Sequence, residues 1–224
     1  GNLERYGTAF QWRKAIEQKR VEVEDYSHLS MSLRFLAGSL GLPFIPTKSM
    51  LGTDLSKQTS TNILESTDPW NSNKAVLLLK ACNPDVSIVH VQKADVLGNV
   101  IIEGFSTHEP EMIKASKSVI VSCEKLIDTE VIRQNPEMTS IPYIFVDAVV
   151  VQPWGAYPTS TYKFYEHDEP HIKYYQSISK TDGSEYKKYL DEYIYRCPDF
   201  DNYLELVTTT KNLNSLAESM SSVS

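Results

Sequence analysis

From Ala75 onward the chain alternates short apolar runs with helical segments, and this alternation limits the fold more than any other feature of the sequence. Ala75-Val-Leu-Leu-Leu79, Val86-Ser-Ile-Val-His-Val-Gln92, Ser118-Val-Ile-Val-Ser-Cys123 and Tyr143-Ile-Phe-Val-Asp-Ala-Val-Val-Val151 read as buried strands. Between them lie a helix over Glu109–Lys117, opened by Thr107, and another near Thr129–Gln134. Strands joined through helices pair in parallel, because a parallel connection must cross back over the sheet. The expected fold is therefore α/β, a largely parallel open sheet flanked by helices. Asp95-Val-Leu-Gly-Asn99 is a turn, and it predicts a hairpin into Val100-Ile-Ile-Glu103.

Ahead of this region, Thr8–Glu17 has helical propensity with Phe10, Trp12 and Ile16 as inward anchors, and Arg20-Val-Glu-Val-Glu24 alternates like a short strand. Ser27 is placed to cap a helix in which Leu29, Leu33, Leu36 and Leu40 recur at the helical period, stopped by Gly41-Leu-Pro43. Its small residues Ala37, Gly38, Ser39 and Gly41 admit a second backbone at close range. From Phe44 to about Asn73 the composition predicts a long loop, of the kind that forms sites or covers interfaces. Beyond Pro153 a Gly/Pro/Thr loop leads to C-terminal helices over Glu169–Lys180 and Ser184–Arg196, where tyrosines at helical spacing indicate packing or subunit contact. Residues 211–224 are polar and expected to fray. There is no internal repeat, and the length of 224 residues fits a single domain.

Composition removes several classes. An apolar fraction of 41% excludes wholesale disorder, and a net charge of −7 leaves no electrostatic footprint for nucleic acid. Three dispersed cysteines, Cys82, Cys123 and Cys197, form neither a disulfide framework nor a CxxC metal site, as expected of a reducing compartment. No apolar run approaches the roughly 20 residues of a membrane span, so the expectation is a soluble cytoplasmic protein with no membrane contact. His108, His167 and His171 stand among acids at helix starts without a metal-binding spacing, so no metal is expected.

An ordered series of phrases carries the reading further. Glu24-Asp25-Tyr26-Ser27, Leu40-Gly-Leu-Pro-Phe-Ile-Pro-Thr47, Leu51-Gly-Thr-Asp54, Val89-His-Val-Gln-Lys-Ala-Asp95 and Gly98-Asn99 come first. They are followed by Ser122-Cys-Glu124, Ile141-Pro142, Val146-Asp-Ala-Val-Val150, Pro153-Trp-Gly-Ala156, Pro158-Thr-Ser160 and Tyr189 to Tyr203. In order and spacing, to about Leu206, the series resembles the A subunit of family I coenzyme A transferases of the glutaconate CoA-transferase type.

That resemblance implies a heteromer, a heterodimer or heterotetramer with a B subunit. Coenzyme A is then a substrate and not a bound cofactor, and the partners are an acyl-CoA and a carboxylic acid, dicarboxylic or 3-oxo. In the family a Glu of the B subunit is the covalent nucleophile, so this chain contributes no catalytic residue of its own. Its nearest match, Glu65 in Ile63-Leu-Glu-Ser-Thr67, lacks the flanking glycines and reads as a solvated loop residue. The family's usual Gly-rich N-terminal segment has no counterpart before Gly1. Two alternatives accompany this reading, a CoA-transferase-like hydrolase of cyclic keto-acyl-CoA and a non-catalytic, truncated A-like subunit.

The expected substrate-binding residues are Ser27, His28, Arg34, Thr47, Gly52 and Gly155, with Glu24 as an auxiliary acid or base. His28, at a helix N-terminus, either orients an anionic group or is an exposed first-turn histidine. The hydrolase branch carries a Glu near this position, which His28 replaces. Arg34 either meets a substrate carboxylate or is a surface Arg or an interface ion pair. Thr47 and Gly52 follow the helix stop, in a proline-stiffened segment that is either aimed at a pocket or an ordinary connection. Gly155 lies just past an apolar strand, where open α/β sheets place ligands, or where a rigid turn caps the strand. His90, on a buried strand, reads as a hydrogen-bonded core or interface histidine more readily than as a base.

Overall fold

In the computed structural model, residues 9–58, 61–181, 183–210, 213 and 215–217 are described. Residues 1–8 and most of the 211–224 tail lie outside them. In chain order the elements are α1 (Phe10–Glu17), α2 (His28–Ser39), β1 (Phe44–Thr47), α3 (Leu55–Gln58), β2 (Ile63–Asp68), β3 (Asn71–Lys80), β4 (Val86–Asp95) and β5 (Val100–Ile101). They continue with α4 (Glu109–Ala115), β6 (Ser118–Ile127), α5 (Thr129–Gln134), β7 (Ala148–Val151), α6 (Glu169–Ser179), α7 (Ser184–Leu190) and α8 (Phe200–Thr210). The chain divides into two compact units, Glu24–Gly155 and a second made of Gly1–Val23 with Ala156–Ser224.

The parallel sheet predicted from the apolar runs is present in the first unit. Its order is β5-β4-β6-β7, with β4, β6 and β7 parallel and β5 folded back antiparallel on β4. Val91, Val100, Ile113, Val119, Val121, Cys123 and Ile141 form its core. The buried Asp95 carboxylate fixes the hairpin by accepting from Leu97 N, Gly98 N and Asn99 N at 3.0, 2.9 and 2.8 Å, while Gly98 takes φ +103°. Val86 and Ile88, expected inside, are exposed at the start of β4. The run 143–151 is strand only from Ala148, because Pro142 opens a 3₁₀ turn over Tyr143–Phe145.

The long loop predicted over 44–73 is instead largely structured. β1, β3 and β2 form an antiparallel sheet in that order, around Met50, Ile63, Leu77 and Leu79. Pro46 is compatible with a strand because β1 lies at an edge. The short strand predicted at Arg20–Glu24 does not form, and Val23 is exposed. The leucine stripe of α2 is also not its buried face. Leu29 and Leu40 are exposed, whereas Ser30, Arg34, Phe35 and Ala37 are buried. The close approach expected of its small residues occurs at Gly38, where a Cβ would stand 2.7 Å from Cys82 O and 2.9 Å from Ala115 Cβ on α4.

In the second unit α6 and α7 match the predicted helices, with α7 running into a π-turn at Asp191–Tyr195. Some of their tyrosines pack, with Tyr189 buried while Tyr174, Tyr175 and Tyr195 are exposed. Tyr157 donates to Asp168 at 2.6 Å, Asp168 caps α6 at His171 N, and His171 Nε2 lies 2.8 Å from the Tyr189 hydroxyl. Tyr189 stacks on Tyr193 at 4.7 Å between centroids. No helix among the described residues is long and apolar enough to cross a membrane.

Candidate functional site

Most of the residues singled out from the sequence meet around the N-terminus of α2. Ser27 caps the helix, its Oγ accepting from Ser30 N at 3.1 Å. That hydroxyl also joins a closed triangle, 2.8 Å from Ser30 Oγ and 2.7 Å from Ser49 Oγ, with Ser30 to Ser49 at 3.0 Å. Thr47 belongs to the same group, since its Oγ1 accepts from Ser49 N at 3.0 Å. Met50 anchors the corner, its Sδ accepting from Ser27 N at 3.2 Å. Met50 and Gly52 both have positive φ, +70° and +74°, so the chain turns sharply away just beyond Ser49. The result is a helix N-terminus surrounded by three hydroxyls, which is electrostatically suited to an anion.

Arg34 is buried and engaged. Its Nε donates to Lys80 O at 2.9 Å, its Nη1 stands 3.8 Å from Glu24 Oε2, and the guanidinium lies over the Tyr26 ring. The pairing lies within the chain and Arg34 is buried, so it is not the surface Arg of the sequence reading. Glu24 is held from three sides, because Tyr26 OH donates to Oε2 at 3.0 Å and Asn62 Nδ2 to Oε1 at 2.7 Å. Its side chain is nevertheless 41% exposed, which leaves the carboxylate reachable from solvent.

His28 is exposed at the first position of α2, and its ring is 5.5 Å from that of His108, which stacks on Phe35. The His108 Nδ1 is buried without a hydrogen-bond partner among the described residues. A buried polar atom without a partner is costly, and His108 carries that cost at this corner.

Gly155 belongs to a second group of contacts, made by β4, β6 and the turn after β7. A Cβ at Gly155 would stand 2.6 Å from His90 Cε1, so the turn backbone lies directly against the imidazole. His90 Nδ1 is 2.9 Å from Ser122 Oγ, and Nε2 is 2.6 Å from Glu124 Oε1. The other Glu124 oxygen accepts from Trp154 N at 2.8 Å. The hydrogen-bonded histidine expected from the sequence is thus present. Sequence reasoning misses the parts of Ser30, Ser49, Asn62, His108, Ser122 and Glu124. One signal points to two of them: Ser122 and Glu124 stand two apart on one strand, polar residues alternating with the buried Val121 and Cys123.

Glu65 lies exposed on the strand β2, and not in the loop that the sequence predicts. Among the described residues no cluster of His, Cys, Asp and Glu is arranged to hold a metal ion.

The family model for coenzyme A transferase matches residues 6–152. The chain is 40% identical over 205 residues to an uncharacterised protein of Archaeoglobus fulgidus, covering 91% of this chain but 45% of that one. It is 32% identical over 217 residues to the A subunit of glutaconate CoA-transferase from Acidaminococcus fermentans, covering 91% of this chain and 68% of the relative. The crystal structure of the Acidaminococcus glutaconate CoA-transferase superposes with a TM-score of 0.86 at 31% identity, over 93% of this chain and 69% of that one. The chain thus spans less than half the length of one curated relative and about two thirds of the other. With the parallel β4-β6-β7 sheet and the α2 corner lying inside the matched segment, the chain belongs to the coenzyme A transferase family.

Proposed function

We propose that this chain is the A subunit of a heteromeric CoA-transferase that moves CoA from an acyl-CoA to a dicarboxylic or 3-oxo acid, with the nucleophilic Glu on a B-type partner. The observation that carries the reading is the 32% identity to the glutaconate CoA-transferase A subunit over 91% of the chain, together with the shared fold. The geometry favours a substrate-wall role over a nucleophilic one. Glu24 is restrained by Arg34, Tyr26 and Asn62, and Glu65 is exposed on the strand β2.

In this reading the partner's Glu carboxylate attacks the thioester carbonyl and expels CoA thiolate, leaving an acyl–glutamyl anhydride. The thiolate then attacks the glutamyl carbonyl, releasing the first acid and forming an enzyme thioester. The acceptor carboxylate repeats the two steps in reverse order, and no atoms are gained or lost overall. This chain would orient the acid. The α2 N-terminus with the Ser27, Ser49 and Thr47 hydroxyls receives the carboxylate, and His28 offers a polar ring at its rim. Gly52 and Gly155 bring backbone close to the acyl-CoA, and Glu24, held by Arg34, stands as an auxiliary acid or base.

The test is an acceptor-dependence assay on the chain assembled with its co-purifying partner. Transfer predicts that acyl-CoA is consumed only when a second acid is supplied, at a rate absent when this chain or its partner is assayed singly. Free acid released without an acceptor would replace transfer with hydrolysis, and no consumption with any acceptor would leave a non-catalytic subunit.

A further inference from the structure

We propose that His90, Ser122 and Glu124 form a positioning network for the Gln152–Gly155 turn and, through it, set the wall that acyl-CoA meets. The second clause rests on the transferase reading above, whereas the first does not.

The network originates in strand register. His90 pairs with Ser122 across the parallel β4–β6 ladder, and Glu124 follows two residues later on the same face. The ring is therefore flanked by a hydroxyl at Nδ1 and a carboxylate at Nε2, at 2.9 and 2.6 Å. Glu124 is almost fully buried, its side chain 3% exposed, and its second oxygen is committed to Trp154 N at 2.8 Å. A buried carboxylate needs such donors, and here one of them is the backbone of the turn itself.

Two backbone features show that the turn is held and not merely adjacent. Trp154 has φ +65°, a left-handed conformation that costs a non-glycine residue energy, and its N–H is committed to the buried Glu124 carboxylate. Gly155 follows, its N donating to Gln152 O at 3.1 Å, and a Cβ there would meet His90 Cε1 at 2.6 Å and Nδ1 at 2.7 Å. The imidazole is thus in contact with Ser122, Glu124 and the Gly155 backbone together. The same three side-chain types serve nucleophilic catalysis elsewhere. In this arrangement the Gly155 backbone packs against the Nδ1 edge that Ser122 faces, where an acyl group would have to enter. Positioning is the role this geometry supports.

The test compares Glu124→Ala, Glu124→Gln and the parent chain, each assembled with the partner and labelled with fluorotryptophan. In fluorine NMR the Trp154 resonance is the one lost in a Trp154→Phe variant. In parallel, the Kd for CoA is read by equilibrium titration, and KM and kcat are measured for acyl-CoA. Glu124→Ala should move the Trp154 resonance and weaken CoA binding and KM about tenfold or more, with kcat within about threefold. Glu124→Gln keeps an acceptor for Trp154 N–H and a polar partner for His90, so it should restore most of both signals.

An unmoved Trp154 resonance in Glu124→Ala would overturn the network, as would a Glu124→Gln variant as impaired as the alanine. A moved resonance with unchanged Kd and KM would overturn the link to acyl-CoA while leaving the transferase reading intact. If the parent complex binds CoA but transfers nothing, the transferase reading fails, and the resonance and Kd still decide the network.

Discussion

The guanidinium of Arg34 lies over the ring of Tyr26, 4.6 Å from Cζ to the ring centroid, and the Tyr26 hydroxyl donates to the same Glu24 carboxylate oxygen that Arg34 Nη1 faces. Cation, ring and acid make one closed unit that fixes the chain just before the Ser27 cap. Its strength does not come mainly from charge. Glu24 is exposed enough for solvent to screen the pair, which leaves under about 1 kcal/mol for it. The larger part is the Nε donation to Lys80 O and the packing of a buried stem.

Arg34→Ala should therefore lower stability by about 2–4 kcal/mol, read as a fall in the urea midpoint at constant m-value. Arg34→Lys should recover little of it, because an ammonium has neither the fork nor the flat face. Recovery to the parent midpoint by lysine would show that charge alone matters there.

Gly38→Ala should destabilise although alanine is the better helix former by about 1 kcal/mol. The added Cβ would meet the Cys82 carbonyl oxygen at 2.7 Å, and backbone does not swing aside as a side chain can. The net loss should be about 1–3 kcal/mol, seen as a drop of several degrees in Tm.

Much of this architecture is legible in the sequence, and the failures have physical causes. β4 and β6 announce themselves because Val89, Val91, Val119, Val121 and Cys123 crowd apolar strand formers into short runs broken by single polar residues. β1 and β2 do not, because Pro46 and the Glu65-Ser66-Thr67-Asp68 run carry loop chemistry, and it is pairing with β3 that makes them strands. In α2 the leucine period misleads, since Leu29 and Leu40 are exposed while Arg34, off that stripe, is buried and satisfied by Lys80 O, a contact 46 residues away. At the candidate site the Ser27 cap is readable locally. The surroundings of His90 are not, because Ser122 and Glu124 lie 32 and 34 residues on and arrive only through the sheet register.

Asp95→Ala should undo the β4–β5 hairpin at a cost of about 2–4 kcal/mol. Burial opposes the charge of Asp95, but hydrogen bonds from Asn99, Thr129 and Leu97 outweigh it and hold the carboxyl below its usual value of 3.8. A depressed carboxyl stabilises the fold above its unfolded value and loses that contribution as pH falls through the folded one. The parent should accordingly lose stability below about pH 4, and Asp95→Asn should lose less over the same acid range, as followed by thermal unfolding.

At the alkaline end, burial first and then the neighbouring phenols Tyr193, Tyr175, Tyr174 and Tyr186 push the Tyr189 hydroxyl from 10.0 up to about 12. The unfolded chain releases this proton near pH 10 and the folded chain does not, so the unfolded state binds fewer protons in between and stability falls as pH rises. The contribution is intact below about pH 10, and roughly 2 kcal/mol is lost by pH 12. Tyr189→Phe should be less stable at neutral pH, having lost the His171 contact, yet show a shallower alkaline decline in unfolding midpoint.

The most direct measurement of the central claim is to incubate the assembled complex with acyl-CoA, reduce it with borohydride and locate the modified carboxylate by peptide mass spectrometry. Hydride reduces a glutamyl thioester to the alcohol and expels CoA thiolate, so one Glu acquires a defined mass loss. The account predicts that this residue lies in the partner, with every Glu of the present chain unmodified. Modification of Glu24 or Glu65, or of no residue in either chain while acceptor-dependent transfer proceeds, would contradict it.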